Sequence, residues 1–215
     1  MHARAGRDNI AAVRLAVFGP CGGDVSIFAR MAEILLNVAA VDRAIYLGAD
    51  DALDETVSSW AQALVGPDSR DDRVWELALE LAREAAPRRI DAFVRNERAR
   101  LRLRAIEGLP RPERRTVEMF GDRLALLVHD RALLDSDDIF SASLLIYGKS
   151  DAPLVKQIGT RWFLTPGPIR SAGGGAIVLD DAEGDVEASF YDLGGRSTHT
   201  ENLTQSRQAH VSVRG

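Results

Sequence analysis

The stretch from 144 to 169 constrains the fold most strongly, because short apolar runs alternate there with turn residues. The apolar runs, each too short for an ordinary helix, are Leu144–Tyr147, Leu154–Ile158 and Trp162–Leu164. They predict three strands joined by tight connections. Lys149, Ser150 and Asp151 follow Gly148 where the first of these strands ends. Polar residues at such a strand end are typical of a functional loop on a layered α/β scaffold.

The first half of the chain alternates strand-like and helix-like segments. Apolar runs that stop at turn residues predict strands at Arg14–Phe18, Ala44–Leu47 and Ile90–Val94. Apolar residues at helical spacing predict a first helix that is capped by Asp24. The same spacing predicts two further helices, Leu53–Val65 and Arg73–Ala86. This order is the opening of an α/β layer structure.

The second half is dominated by predicted strands. Thr116–Phe120 and Leu124–Val128 flank a Gly-Asp turn and predict a hairpin. Two more strands are predicted at Ala176–Leu179 and Val186–Tyr191. Because these strands follow a βαβ half, we expect two sheets packed face to face with helices outside, a four-layer α/β/β/α sandwich.

Chain length and composition predict one soluble globular domain. We expect a loose leader over 1–12, a domain over 13–195 and a disordered tail over 196–215, which is polar and aperiodic. No apolar run approaches the roughly 18 to 20 residues that cross a bilayer, and the leader lacks the apolar core of a signal peptide. A single cysteine, Cys21, excludes an internal disulfide and a multi-cysteine zinc site, so we expect a reducing cytoplasm.

Charge gives no support for nucleic-acid binding, because the net charge is −5 and such domains usually carry a basic excess. The sign is nevertheless uneven along the chain. Between Arg95 and Arg115 there are eight arginines against three glutamates. This segment is either a solvated helix surface or a face that attracts an anion or a partner.

The loops at the predicted strand ends, taken in order, resemble those of one family. They are Gly19-Pro20-Cys21, Gly48-Ala49, Arg95-Asn96-Glu97-Arg98, His129-Asp130, Gly148-Lys149-Ser150-Asp151 and Thr165-Pro166-Gly167-Pro168. Together they resemble the calcineurin-like metallophosphoesterases, in particular the small bacterial phosphodiesterase branch that also includes the non-catalytic retromer subunit of eukaryotes. That family has Asp-x-His, Gly-Asp, Gly-Asn-x-Asp, His-Gly, Gly-His-x-His and Asn-Pro-Gly-Ser at these places.

The resemblance implies a pair of divalent ions, but most of the ligand types are replaced. Such ions lie about 3.5 to 4 Å apart and need carboxylate and imidazole ligands. At the matching positions this chain has Gly19 and Cys21 for the first Asp and His, Ala49 for the second Asp, and Lys149 and Asp151 for the histidine pair.

Only two ligand types survive at matching places, Asn96 and His129, and these are the weak metal candidates. The other histidines, His2, His199 and His210, fall in predicted tails. A protonated Lys149 beside cations adds repulsion in place of a ligand. No cofactor is therefore expected, and no confident catalytic residue is assigned.

Other residues leave alternatives open. Asp50 lies one residue beyond the Gly-Asp position, so a shift would bring it inward and allow one oxygen-liganded metal ion, or it is a cap or turn residue. His129 is either a relic ligand or a structural residue that hydrogen-bonds a backbone carbonyl or Asp130. Cys21 becomes a reactive thiol if the following helix lowers its pKa. The glycines around Cys21 only weakly match a phosphate-binding loop.

Three functions are compatible with these residues. The first is a bacterial, catalytically inactive protein of this fold that binds another protein. The second is a divergent phosphoesterase with one metal or an altered site. The third is a sensor of an anionic small ligand. The residual pocket candidates for all three are Asp50, Asn96, His129, Lys149 and Asp151.

Overall fold

The side chains of the first strand point alternately into two different layers of the molecule. In the computed structural model, which describes residues 14–111, 113–181 and 185–204, strand β1 is Arg14–Phe18. Leu15 and Val17 belong to the core between the two sheets, whereas Ala16 and Phe18 pack on the helix side. Successive side chains of a strand point to opposite faces, so a run that is apolar on both faces must be covered on both.

The first sheet has six strands in the order β11-β10-β9-β1-β2-β3. Its strands besides β1 are β2 (Arg43–Tyr46), β3 (Ile106–Gly108), β9 (Ala176–Asp180), β10 (Glu187–Tyr191) and β11 (Ser197–Asn202). Strand β1 runs parallel to β2 and antiparallel to β9.

The second sheet has five strands in the order β4-β5-β6-β8-β7. These are β4 (Arg115–Phe120), β5 (Arg123–Val128), β6 (Leu144–Tyr147), β7 (Leu154–Ile158) and β8 (Arg161–Thr165). Strands β5, β6 and β8 are parallel, while β4 and β7 pair antiparallel at the two edges. The predicted hairpin and the three strands of the 144–169 stretch are confirmed.

Helices cover the outer faces and complete the predicted four-layer sandwich. On the first sheet, Phe28, Met31 and Leu35 of α1 (Val25–Val38) are buried against it, as is Leu53 of α2 (Ala52–Val65). The helices α3 (Asp71–Glu84) and α4 (Pro87–Arg102) follow, with a 3₁₀ turn at Leu103–Ala105. The second sheet is covered by the short helix α5 (Ser136–Ser141), which a 3₁₀ turn at Arg131–Leu133 precedes.

The predicted third strand at Ile90–Val94 is wrong, because this segment lies inside α4. Pro87 occupies the first turn of that helix, where its missing N–H is not needed. A short apolar run does not distinguish a strand from a helix segment. The third strand of the sheet is instead β3, only three residues long, which pairs in parallel with β2.

The predicted disorder from 196 onward is also wrong as far as the described chain extends, to Thr204. Strand β11 pairs antiparallel with β10 along the edge of the first sheet. Its side chains are polar because an edge strand faces water, so no apolar alternation marks it. Leu203, directly after it, is fully buried, and the guanidinium of Arg123 donates a hydrogen bond to its carbonyl. The predicted leader over 1–12 and the tail beyond 204 lie outside the described residues.

No helix in the described part of the chain is long and apolar enough to cross a membrane.

Leu203→Ala tests whether the C-terminal segment belongs to the folded domain. Because Leu203 is buried in the core between the sheets, we expect a loss of about 2 to 5 kcal/mol in the free energy of unfolding, measured by urea denaturation. The control is Leu154→Ala at a side chain that is 40% exposed, where the expected loss is below about 1 kcal/mol. Equal, small losses for both variants would contradict the assignment.

Candidate functional site

The carboxyl ends of the parallel strands meet at one edge of the two sheets, as the sequence predicts. Backbone hydrogen bonds join these ends: Leu47 N donates to Phe18 O at 3.0 Å, Lys149 N to His129 O at 2.7 Å, and Ile169 N to Pro20 O at 3.0 Å. Ligands bind preferentially at such an edge of an α/β sheet, so it is the candidate functional site.

Gly19 is closed off by the backbone of the loop that follows β8. A Cβ atom on Gly19 would lie 1.7 Å from Gly167 O and 3.3 Å from Gly175 O. The N–H of Gly19 also donates to Gly175 O at 2.9 Å. The position at which the family resemblance places the first metal-binding carboxylate therefore has no room for any side chain.

The hydroxyl of Tyr46 joins the loops after β1 and β2. It donates to the Asp50 carboxylate, with Oη 2.9 Å from Oδ1 and 3.1 Å from Oδ2. It also accepts from Cys21 N at 3.0 Å and contacts Cys21 Sγ at 2.9 Å. The aromatic ring lies directly against Gly48, where a Cβ would come within 2.0 Å of it. The Tyr46 ring thus occupies the space that a side chain at position 48 would need.

Asp50 is engaged in holding these loops together. Besides the Tyr46 hydroxyl, its carboxylate accepts from Gly23 N at 3.0 Å and from Ala52 N at 3.2 Å. These contacts match the interpretation of Asp50 as a cap and turn residue. Because the phenol and the two backbone amides already use its oxygens, the carboxylate has little capacity left for a metal ion.

Cys21 is not activated by the helix that follows it. The thiol is 8% exposed, and burial raises its pKa, an effect that the nearby Asp50 carboxylate reinforces. Burial likewise raises the pKa of the Tyr46 hydroxyl, together with its contact to Cys21. Both groups therefore stay protonated near neutral pH, so the condition for a reactive thiol at Cys21, a lowered pKa, is not met.

His129 has a structural contact of the kind predicted. Its Nδ1 lies 2.7 Å from the carbonyl oxygen of Leu47, at the carboxyl end of β2. A carbonyl only accepts, so Nδ1 carries a proton and donates this hydrogen bond. His129 thus ties the second sheet to the first across the site.

Lys149 forms an ion pair with Asp130, with Nζ 2.6 Å from Oδ2. This hydrogen bond, with a further one from Ala132 N, lowers the pKa of Asp130. Asp130 carries the charge that compensates the ammonium group. Asp151 lies nearby and is exposed.

Two adjoining cavities open at this edge. The larger, of about 720 Å³, is lined by residues that include Pro20, His129, Lys149, Asp151 and Pro168. The smaller, of about 570 Å³, shares His129, Asp130 and Lys149 and adds Arg111, Arg114 and Leu133. The site is therefore a wide depression with both cationic and anionic groups, and neither Cys21 nor Asp50 lines either cavity.

Asn96 is not part of this site, which corrects its prediction as a pocket residue. It lies in the middle of α4 and donates from Nδ2 to the carbonyl of Leu64 at 2.9 Å. The loop after the true third strand contains Leu109, Pro110 and Arg111 in its place. None of these three side chains supplies an oxygen or imidazole ligand.

The residues at the site do not fit a pair of divalent ions. In the described parts of the chain, no group of three or more His, Cys, Asp or Glu side chains is placed to hold a metal ion. The steric closure of Gly19 and the use of Asp50 by Tyr46 are the physical reasons. A dinuclear centre also needs a bridging carboxylate, and Ala49 stands at that position.

Sequence reasoning misses Tyr46 and the arginines of the smaller cavity. Tyr46 counts as one apolar residue of a predicted strand, although a phenol at a strand end that precedes Gly48 carries a hydroxyl needing a partner. Arg111 and Arg114 stand out in the sequence only as members of a basic segment. No pattern in the sequence places them beside His129.

Comparison with known proteins identifies the fold through solved structures and not through the sequence. No family model matches the sequence, and no curated protein is significantly similar to it. A conserved uncharacterised protein of Streptococcus pneumoniae, described as a predicted phosphoesterase, matches with a TM-score of 0.50 and 16% identity, over 90% of this chain and 98% of that chain.

Two further solved structures are similar at lower scores. An archaeal phosphodiesterase has 9% identity and a TM-score of 0.43, over 88% of this chain and 99% of that chain. Vacuolar Protein Sorting 29 of Cryptosporidium parvum has 14% identity and a TM-score of 0.47, over 89% of this chain and 95% of that chain. The two packed sheets and the match to the Streptococcus protein establish the calcineurin-like metallophosphoesterase fold.

Tyr46→Phe removes the hydroxyl that joins the two loops. We expect a loss of about 1 to 3 kcal/mol in the free energy of unfolding, because Asp50 and the N–H of Cys21 lose a buried partner. The measurement is urea denaturation at neutral pH. Tyr147→Phe is the matched control, since the Tyr147 hydroxyl has no hydrogen-bond partner within the described residues. Equal effects of the two substitutions would show that the Tyr46 network contributes nothing.

Proposed function

We propose that this chain is a non-catalytic protein of the metallophosphoesterase fold that works by binding another protein. The observation that carries the proposal is the contact at Gly19, where neighbouring backbone occupies the space that a carboxylate ligand would need. A fold persists when its site is lost, because the core and the site depend on different residues.

The electrostatics of the site support the same conclusion. Lys149 lines both cavities, and its ammonium group already occupies the Asp130 carboxylate, with Nζ 2.6 Å from Oδ2. A cation bound at this place would have to displace the ammonium group from this carboxylate. The donors that remain at this edge, His129 and Asp151, are too few for two divalent ions.

A divergent phosphoesterase with one metal is the weaker alternative. It requires Asp50 to turn inward, but the Tyr46 hydroxyl and two backbone amides hold this carboxylate. Asn96, a weak metal candidate, lies on α4 away from the strand ends. No described arrangement favours it.

An anionic ligand in the smaller cavity is also less supported. Lys149 is paired with Asp130, and Arg111 is paired with Asp51 at 2.6 Å. A bound anion would have to compete with these carboxylates. Arg114 alone among the three cations forms no ion pair with the described residues.

The proposal predicts no metal-dependent phosphodiesterase activity. With Mn²⁺ and a chromogenic phosphodiester, we expect product formation at the rate of buffer with Mn²⁺ alone, and no change on His129→Ala. Protein purified without chelators and then dialysed should hold less than about one metal ion per ten chains in elemental analysis, because the site lacks a complete set of metal ligands. Hydrolysis that Mn²⁺ stimulates and His129→Ala abolishes would refute the loss of catalysis.

The exposed apolar side chains of the second sheet provide a surface for a partner. Helix α5 has only six residues and covers the centre of this sheet, around Leu126 and Leu145. The edge strand β7 leaves Leu154 at 40% and Ile158 at 53% exposure, with Lys156 between them. Trp162 is buried, so the surface is formed by β7 and not by the core of the sheet.

This surface fits a partner segment that brings apolar side chains onto Leu154 and Ile158 and a carboxylate near Lys156. Exposed apolar side chains along an edge strand mark a place where another chain can pair. The proposed partner therefore binds along β7, not in the cavities at the strand ends.

A comparison of surface variants tests where the partner binds. In affinity capture from the native host, Leu154→Asp combined with Ile158→Asp should lose the protein that the native chain retains. Lys149→Glu, which changes the cavity, should retain it. Both sets of positions are exposed, so the native fold is expected to survive. Loss of the partner with Lys149→Glu, and not with the β7 variant, would place binding at the strand ends instead.

A further inference from the structure

The helices α3 and α4 leave apolar side chains on the outside of the molecule. An amphipathic helix normally buries its apolar stripe. Yet Trp75 and Leu79, one turn apart on α3, are 71% and 59% exposed, and Val94 and Leu101, two turns apart on α4, are 37% and 42% exposed. These four residues are called the hairpin patch below. Isolated exposed apolar residues are normal, but four on two neighbouring helices mark an interaction surface.

The two helices bury few apolar side chains, although Asn96 of α4 hydrogen-bonds the carbonyl of Leu64 on α2. Helix α4 has no buried residue, and Val74 is the one buried apolar residue of α3. Their ends are joined by Asp71, which pairs with Arg100 at 2.7 Å and with Arg104 at 2.6 Å. The beginning of α3 therefore lies beside the end of α4, and the helices run antiparallel.

The two helices carry opposite charge. Helix α3 contains five acidic residues and two arginines, whereas α4 contains six arginines and two acidic residues. Arg95, Arg98 and Arg102 are exposed on α4 and form no ion pair within the described chain. Asp72 on α3 is equally exposed and equally without an ion pair there. Beside the apolar pairs, α3 carries Asp72 and Glu76, of which Glu76 pairs with Arg73, and α4 carries Arg98 and Arg102, both unpaired within the described residues.

We propose that a second copy of this chain docks on the hairpin patch, with α3 of each protomer against α4 of its partner. A two-fold axis places α3 of each protomer against α4 of the other, so the same contact forms twice, as in an isologous dimer. Trp75 and Leu79 then cover the partner's Val94 and the partner's Leu101. Asp72 and Glu76 face the partner's Arg98 and the partner's Arg102.

The charges favour a second copy over other occupants. A strongly acidic protein or an anionic membrane would be repelled by α3, and a strongly basic protein would be repelled by α4. A partner that matches both helices must place basic residues opposite α3 and acidic residues opposite α4. The α4 and α3 helices of a second copy provide these two surfaces. Complementary charge at an interface fixes register and excludes wrong partners. The proposal does not depend on the loss of catalysis or on binding along β7.

Charge reversal in the full chain tests the dimer. Light scattering coupled to size exclusion should give the mass of two chains for the native protein at about 0.1 M salt, where charges are only partly screened. Arg98→Glu with Arg102→Glu should give monomers, and so should Asp72→Arg with Glu76→Arg. A mixture of these two variants should restore a dimer of one chain of each kind, because both of its helix contacts again join opposite charges.

The controls separate docking from loss of the fold. Arg30→Glu with Arg131→Glu changes the net charge as much as Arg98→Glu with Arg102→Glu does, but on other exposed surfaces, and should leave the dimer intact. Trp75→Ala, at a side chain that hardly contributes to the core, should weaken dimerisation at least about tenfold, which is a modest effect for an interface aromatic. Circular dichroism verifies that each variant is folded. A monomeric native chain, or charge-reversed helix variants that stay as dimeric as the control, would overturn the proposal.

Discussion

The contact between the backbone of Gly19 and the loop after β8 determines what this edge of the molecule can hold. The amide of Gly19 donates to Gly175 O, and Gly167 O lies where a side chain would begin. Because the contact is between backbone atoms, no rotamer change relieves it. The loops at the carboxyl ends of the strands are therefore packed on one another at this point, and the space for a ligand lies beside it, around His129 and Lys149.

Side-chain hydrogen bonds also hold these loops together, and they use groups that act in catalysis or metal binding in other proteins. The Tyr46 hydroxyl, the Asp50 carboxylate and the Cys21 thiol bond to one another, and His129 bonds to the carbonyl of Leu47. Burial of polar groups is tolerated because each has a partner. A carboxylate, a phenol, a thiol and an imidazole thus stabilise the loops at the strand ends.

Much of the fold was predictable because both faces of the central strands are buried. Runs such as Arg14–Phe18 and Leu144–Tyr147 are almost entirely apolar, and turn residues follow them. The errors occurred where this signal is absent. Ile90–Val94 is a short, largely apolar run that fits a strand as well as the helix in which it lies, and Ser197–Asn202 is polar because it lies at an edge. Of the five pocket candidates, His129, Lys149 and Asp151 line the cavities, Asp50 joins two loops, and Asn96 lies elsewhere.

The sequence by itself determined the inventory of groups: one cysteine, four histidines, and glycine, alanine and lysine where a metal centre needs ligands. An absent side chain cannot be supplied by folding, so this inventory is fixed before the chain folds. Only the tertiary structure decided how the remaining groups are used. Tyr46 and Asp50 are four residues apart, but the hydrogen bond between Tyr46 and Cys21 spans 25 residues. The backbone that fills the space beside Gly19 belongs to the distant loop around Gly167. Such contacts depend on the register of distant strands, which local sequence patterns do not encode.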